Sequence, residues 1–148
     1  LLLNGFSKMA GMPGWRVGFA AGPEDIIQQM NTLQQYTFVC APSFAQKAAA
    51  AALKADGTEK VNNYRRKRDI VYEGLKDKFS LVKPDGAFYA FPQAPNNDGD
   101  AFVAKAIENN VLIIPGSVFS NKKTHFRISF AATDETLKKG VDVLNRLA

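Results

Sequence analysis

The stretch Asn4-Gly5-Phe6-Ser7-Lys8-Met9-Ala10-Gly11-Met12-Pro13-Gly14-Trp15-Arg16-Val17-Gly18 decides how the rest of the chain is read. It holds one lysine and one arginine eight positions apart, with glycine and proline between them. Leu1-Leu2-Leu3 stands before the lysine, and Val17-Gly18-Phe19-Ala20-Ala21 ends the stretch and runs past it. Both apolar runs are too short for helices and read as buried strands. The lysine is therefore expected in a tight loop between two strands, where a side chain can be held over a cleft. A buried or cation-flanked lysine loses basicity and becomes a nucleophile, which is what condensation with an aldehyde requires. Arg16, at the start of the second strand, offers a fixed fork for a phosphate. A surface loop with a lysine among glycines is the plain alternative.

Downstream, Gly22-Pro23-Glu24-Asp25 reads as a helix start, since proline is tolerated in a first turn and acids favour the N-terminus. Ile26, Ile27, Met30 and Leu33 then recur at helical spacing. Residues 37–42 break that period and read as an extended connection, after which Ser43 is expected to cap an alanine-rich helix reaching about Ala55. A long amphipathic helix follows from Asp56-Gly57-Thr58 to about Phe79. Beyond it, Leu81-Val82-Lys83 and residues 87–91 read as two short strands, joined by Pro84-Asp85-Gly86 with the glycine available for positive φ. Asp100 is expected to cap a helix that carries Phe102, Val103, Ala106 and Ile107. Val111–Ile114 and His125–Phe130 read as strands, and Thr133-Asp134-Glu135 opens the last helix.

The long helix contains Arg65-Arg66-Lys67-Arg68, four consecutive cations. Successive residues point all round a helix, so the run cannot form one basic stripe, and a solvated helix is the better reading than a nucleic-acid face. The net charge of +5 leaves an anionic partner open. No run approaches membrane-spanning length, and a single cysteine excludes a disulfide framework and suits a reducing compartment. The one histidine, His125, has no second ligand in view, so no metal site is expected. With 148 residues and 46% apolar content the chain can bury a core. Its first residue lies inside an apolar run, which reads as a piece of a longer chain.

Ser7-Lys8, Gly14, Trp15-Arg16 and Gly18 together resemble the pyridoxal phosphate attachment segment of the class I/II aminotransferases, the aspartate aminotransferase-like enzymes of fold type I. Later segments agree in order: Pro84-Asp85-Gly86-Ala87-Phe88-Tyr89, residues 111–119, and His125-Phe126-Arg127-Ile128-Ser129-Phe130-Ala131. The resemblance implies an α/β remnant of the large cofactor domain over residues 1–63, followed by a small α+β C-terminal domain over residues 64–148. It implies an aminotransferase that moves an amino group from an amino acid to a 2-oxo acid. Lys8 would carry the cofactor aldehyde and act as base, Arg16 would hold the phosphate, and Arg127 would grip the substrate α-carboxylate. A homodimer in the cytoplasm is the expected setting, with no nucleic-acid or membrane partner.

Two positions depart from the family pattern. The serine that many relatives have three places before the lysine is Gly5 here, and Ser7 is the candidate to replace its phosphate contact. No arginine lies between Arg16 and Arg65, where dicarboxylate-specific members place one, so neutral or aromatic amino acids stay open as substrates. The family's aspartate for the pyridine nitrogen, and its Asn, Tyr and stacking aromatic, precede the lysine, so these residues alone are expected to be inactive. Two other readings stay open. One is another fold-type I reaction, a β-eliminating lyase or a synthase. The other is a non-catalytic basic module on the same scaffold. Phe88 and Tyr89 read as core packing by default.

Overall fold

The computed structural model describes all residues, 1–148. It divides into two compact units, Leu1–Asp56 and Gly57–Ala148. The break between these two compact units falls ahead of the long helix. The helix belongs wholly to the second unit because Val71 and Leu75 are buried in that unit's core.

In the first unit, β1 (Leu2–Gly5) pairs antiparallel with β2 (Gly18–Ala21), Leu2 opposite Ala21 and Gly5 opposite Gly18. Between them the chain makes a short helix, α1 (Phe6–Met9), and a 3-10 turn at Pro13–Trp15. Two longer helices follow, α2 (Glu24–Gln35) and α3 (Ser43–Ala52). The strands are not buried as the apolar runs suggested: Leu2 and Leu3 are 53% and 65% exposed. The sheet has only two strands, and the unit's core lies elsewhere, among Phe6, Val17, Ala45 and Ala49. Helix α2 keeps its amphipathic spacing yet buries no residue. Ser43 is the first residue of α3 rather than its cap, which Pro42 supplies without a side-chain bond.

The second unit is built on a three-stranded antiparallel sheet in the order β3-β5-β4. Strand β5 (Phe126–Ser129) is central, β3 (Tyr89–Ala90) and β4 (Ile114–Pro115) are short, and helices α4 (Thr58–Leu75), α5 (Gly99–Glu108) and α6 (Asp134–Leu147) complete the unit. The alternation along β5 is the one expected of a strand with one buried face: Phe126 and Ile128 enter the core, while Arg127 and Ser129 point the other way. Phe79, Phe102 and Phe126 form a contiguous aromatic cluster with centroids 4.9–5.8 Å apart. Such pairs stabilise by about 0.5–1.5 kcal/mol beyond their buried area.

Several local expectations are corrected. Leu81–Lys83 forms no strand, because nothing pairs with it. Val111–Ile113 also stays outside β4, which begins at Ile114. The positive φ after Pro84 falls on Ala87 (φ 58°), not on Gly86. Asp98 caps α5 by accepting from the Ala101 N–H at 2.9 Å, while Asp100 accepts from the Ser117 hydroxyl at 2.7 Å. Thr133 caps α6 by accepting from the Thr136 N–H at 3.3 Å.

The cation run on α4 is used inside the unit. Arg66 pairs with Asp134 at the start of α6, and Lys67 donates to the Ala132 carbonyl just before it. Arg68 donates to Asp69 at 2.9 Å and to the Pro84 carbonyl at 3.3 Å, and Lys83 donates to the same Asp69 oxygen at 2.8 Å. These charges tie α4 to α6 and to the segment before β3, so the solvated-helix reading understated their role.

Candidate active site

Ser7, Lys8 and Arg16 all come from the excursion between β1 and β2. Its base is closed by the Phe6 N–H donating to the Val17 carbonyl at 3.2 Å, and both residues are buried. Phe6 also accepts at its carbonyl from the amides of Ala10 and Met12, each at 3.2 Å. The excursion is thus folded on itself around one buried aromatic. Lys8 lies within α1 and not in an irregular loop; its side chain is exposed, and Ser7 beside it is half-buried.

Arg16 follows the 3-10 turn in the left-handed region, φ 51° and ψ 43°. A residue with a Cβ pays roughly 1–2 kcal/mol there. Its own Nη1 donates to the Pro13 carbonyl at 3.2 Å, which holds the side chain back along the turn. Gly14, between the two, has open space where a side chain would stand. Gly18 has none: a Cβ there would lie 2.8 Å from the Asn4 carbonyl oxygen, so only glycine lets the strands close behind the excursion. An amine and a guanidinium on one short excursion can serve a ligand that has a carbonyl at one end and an anion at the other.

Arg127 lies in the second unit, on the central strand of its sheet, not on an edge. It is half-buried, and no acid pairs with it within the chain. The Tyr89 ring lies 4.3 Å from its Cζ and the Phe119 ring 4.0 Å. Tyr89 therefore does not fill the core; cross-strand pairing with Ser129 sets it on Arg127's face of the sheet. Phe88 is half-buried and packs, with its ring tilted, against Tyr64 at 5.9 Å and Tyr89 at 4.4 Å. The face of Tyr89 is set by Ser129, a partner far along the chain that no neighbouring residue signals. Phe119 had no local signal.

His125 takes no part in this cluster. It stacks on Phe91 at 5.2 Å and shares a 2.7 Å hydrogen bond with the Thr124 hydroxyl through Nδ1. Burial, and then the charge of Lys122, lower its pKa below the ordinary imidazole value. No group of histidine, cysteine and carboxylate side chains is arranged to hold a metal.

Comparisons with known proteins agree with the motif. The Aminotransferase class I and II family matches residues 1–144. A probable aspartate aminotransferase of Methanocaldococcus jannaschii is 40% identical over 99% of this chain and 42% of its own length. Aromatic-amino-acid aminotransferase 2 of Thermococcus litoralis is 35% identical over 99% of this chain and 40% of its own. The crystal structure of aspartate aminotransferase from Thermotoga maritima superposes with a TM-score of 0.91 at 34% identity, covering 97% of this chain and 38% of that one. The chain thus spans about two fifths of the length of the relatives it matches. It has the α/β fold of the corresponding part of these enzymes, and it belongs to the class I and II aminotransferases.

Proposed function

We propose that the whole protein is a pyridoxal phosphate-dependent aminotransferase that moves an amino group from an amino acid to a 2-oxo acid. The observation that carries this reading is the placement of Lys8 and Arg16 on one folded excursion, within a family match that runs over residues 1–144. The donor set fits the cofactor: a primary amine for its aldehyde, a guanidinium for its phosphate, and the Ser7 hydroxyl as a further phosphate donor where Gly5 offers none. When bound, pyridoxal phosphate supplies that aldehyde and a ring able to accept the electron pair left at the substrate Cα.

The chain's own residues do the rest. Arg16 anchors the phosphate, its backbone strain offset by the closure of the turn. The Lys8 amine would be the base that takes the proton from the substrate Cα. Arg127 receives the substrate α-carboxylate on two parallel N–H bonds. In this reading residues 1–63 are the end of a large cofactor domain and residues 64–148 a small C-terminal domain. The working enzyme is a cytoplasmic homodimer. The 148 residues alone are expected not to turn over, because the family's aspartate for the ring nitrogen precedes the lysine and the seven residues before Lys8 hold no carboxylate. Borohydride reduction of the cofactor-loaded whole protein, followed by peptide mapping, tests the reading. The label is expected on Lys8, and its appearance on another lysine overturns the assignment.

A further inference from the structure

Arg127 is an arginine that the chain itself does not neutralise. Every arginine of the α4 run donates to an oxygen of a neighbouring residue or carbonyl. Arg127 instead meets two aromatic rings. The Tyr89 ring centroid lies 4.3 Å from its Cζ and the Phe119 centroid 4.0 Å. The two come from different places in the fold. Tyr89 is set by β3, where its Ser129 partner places it diagonal to Arg127 on the same face. Phe119 follows β4 through a 3-10 turn, and its N–H donates to the Gly116 carbonyl at 2.9 Å. Gly116 in turn donates to the His125 carbonyl at 2.7 Å, which fastens the turn to the residue just before β5.

A guanidinium offers its N–H donors only in its own plane, so a carboxylate must arrive at that edge. A ring stacked on a guanidinium face leaves the edge free and removes torsional freedom that would turn it away. Resting on the reading of Arg127 as the carboxylate fork, we infer that Tyr89 and Phe119 are positioning residues that fix the plane of Arg127, so that selectivity for a free α-carboxylate depends on them.

The test uses the cofactor-loaded whole protein and two unreactive probes, 3-phenylpropanoate and its amide, whose binding is measured at equilibrium. The ratio of the two affinities isolates the carboxylate from any contact with the rest of the probe. Tyr89→Leu and Phe119→Leu are each expected to lower that ratio by about 3- to 10-fold, the usual range for a ring–cation contact. Tyr89→Phe and Phe119→Tyr should leave it within about twofold, since both keep the ring. Arg127→Lys separates the carboxylate fork from the rings that position it. A ratio lost in Arg127→Lys but kept in both leucine variants overturns the positioning role and leaves the fork intact. A ratio unchanged in Arg127→Lys overturns the fork itself. A measurement without any substitution guards against variants that fail to fold: the Arg127 Nε–H proton should resonate upfield of the Arg65 one, shielded by the two rings. An unshifted Arg127 resonance overturns the ring arrangement.

Discussion

Replacing Gly99 or Gly116 by alanine tests how the segment ahead of β5 is held. A Cβ on Gly99 would stand 2.3 Å from the His125 carbonyl oxygen and 2.7 Å from that of Lys123. On Gly116 it would stand 2.5 Å from the Lys122 oxygen and 2.7 Å from the His125 oxygen. Non-bonded carbon contacts are comfortable at about 3.5 Å, so the backbones must part by about 1 Å. The same backbones are joined at these points: the Gly99 N–H donates to Lys123 at 2.8 Å and the Gly116 N–H to His125 at 2.7 Å. Parting them loses a hydrogen bond of about 1 kcal/mol. Overpacking adds about 1–3 kcal/mol. Each substitution should therefore destabilise by about 2–4 kcal/mol, with up to about 1 kcal/mol recovered at Gly99 because alanine suits the start of α5 better. Gly140, inside α6 with nothing near its absent Cβ, is the control, and alanine there should stabilise by about 0.5–1 kcal/mol. Urea unfolding followed by far-ultraviolet circular dichroism reads all three, compared at constant slope. If Gly99→Ala and Gly116→Ala stay within about 0.5 kcal/mol of the parent, the loop yields freely and the close approach holds nothing.

Two further outcomes follow from charged groups. The Lys83 ammonium holds the Asp69 carboxyl below its ordinary value of 3.8; burial, the next influence, opposes it, and Arg68 then adds to the lowering. A carboxyl depressed on folding adds stability that is present above its unfolded value and lost as pH falls through the folded one. The Asp69 carbon resonance should thus titrate below 3.8, and Lys83→Ala should move the midpoint upward; no movement removes Lys83 as the cause. Arg16→Gly relieves roughly 1–2 kcal/mol of left-handed strain. It also adds about 0.5–1 kcal/mol of glycine entropy and loses a weak exposed hydrogen bond, so stability should change by less than about 1 kcal/mol. Affinity of the whole protein for pyridoxal phosphate, read by absorbance titration, should nonetheless fall about 10- to 100-fold, the range for a charged hydrogen bond. An unchanged affinity would take Arg16 out of phosphate binding.

What could be read from the chain beforehand was whatever depends on near neighbours. Helices α2, α5 and α6 declared themselves through apolar spacing, and Thr133 through its place before two acids. The alternation around Arg127 marked β5, because a strand with one wet face carries that pattern within itself. Residues 81–83 and 111–113 carry the same apolar residues yet make no ladder, since pairing depends on what lies opposite and not on the run itself. The cap of α5 shifted from Asp100 to Asp98 for a related reason: both residues can cap, and the Ser117 hydroxyl, far along the chain, engages Asp100. At the excursion, the residue types at Lys8 and Arg16 were legible, but the left-handed backbone at Arg16 was not, because glycines on either side were the more natural hosts for it.

The treatment of the arginines ties these observations together. On α4, Arg66 meets Asp134 at the start of α6, and Arg68 meets its helix neighbour Asp69. Exposed pairs of that kind add about 0–1 kcal/mol each, so their worth lies in orientation more than in stability. Arg16 and Arg127 are handled in the opposite way. Neither meets a carboxylate; one is held by its own turn, the other by two rings, and each keeps most of its in-plane donors unspent. Holding a guanidinium by means that do not consume its hydrogen bonds costs the fold something, in strain at Arg16 and in half-exposed aromatic surface at Phe119. A fold that only needed stability would place an aspartate beside either one. That it spends backbone strain at one position and aromatic surface at the other is the physical reason to read both as sites that await an anion from outside the chain.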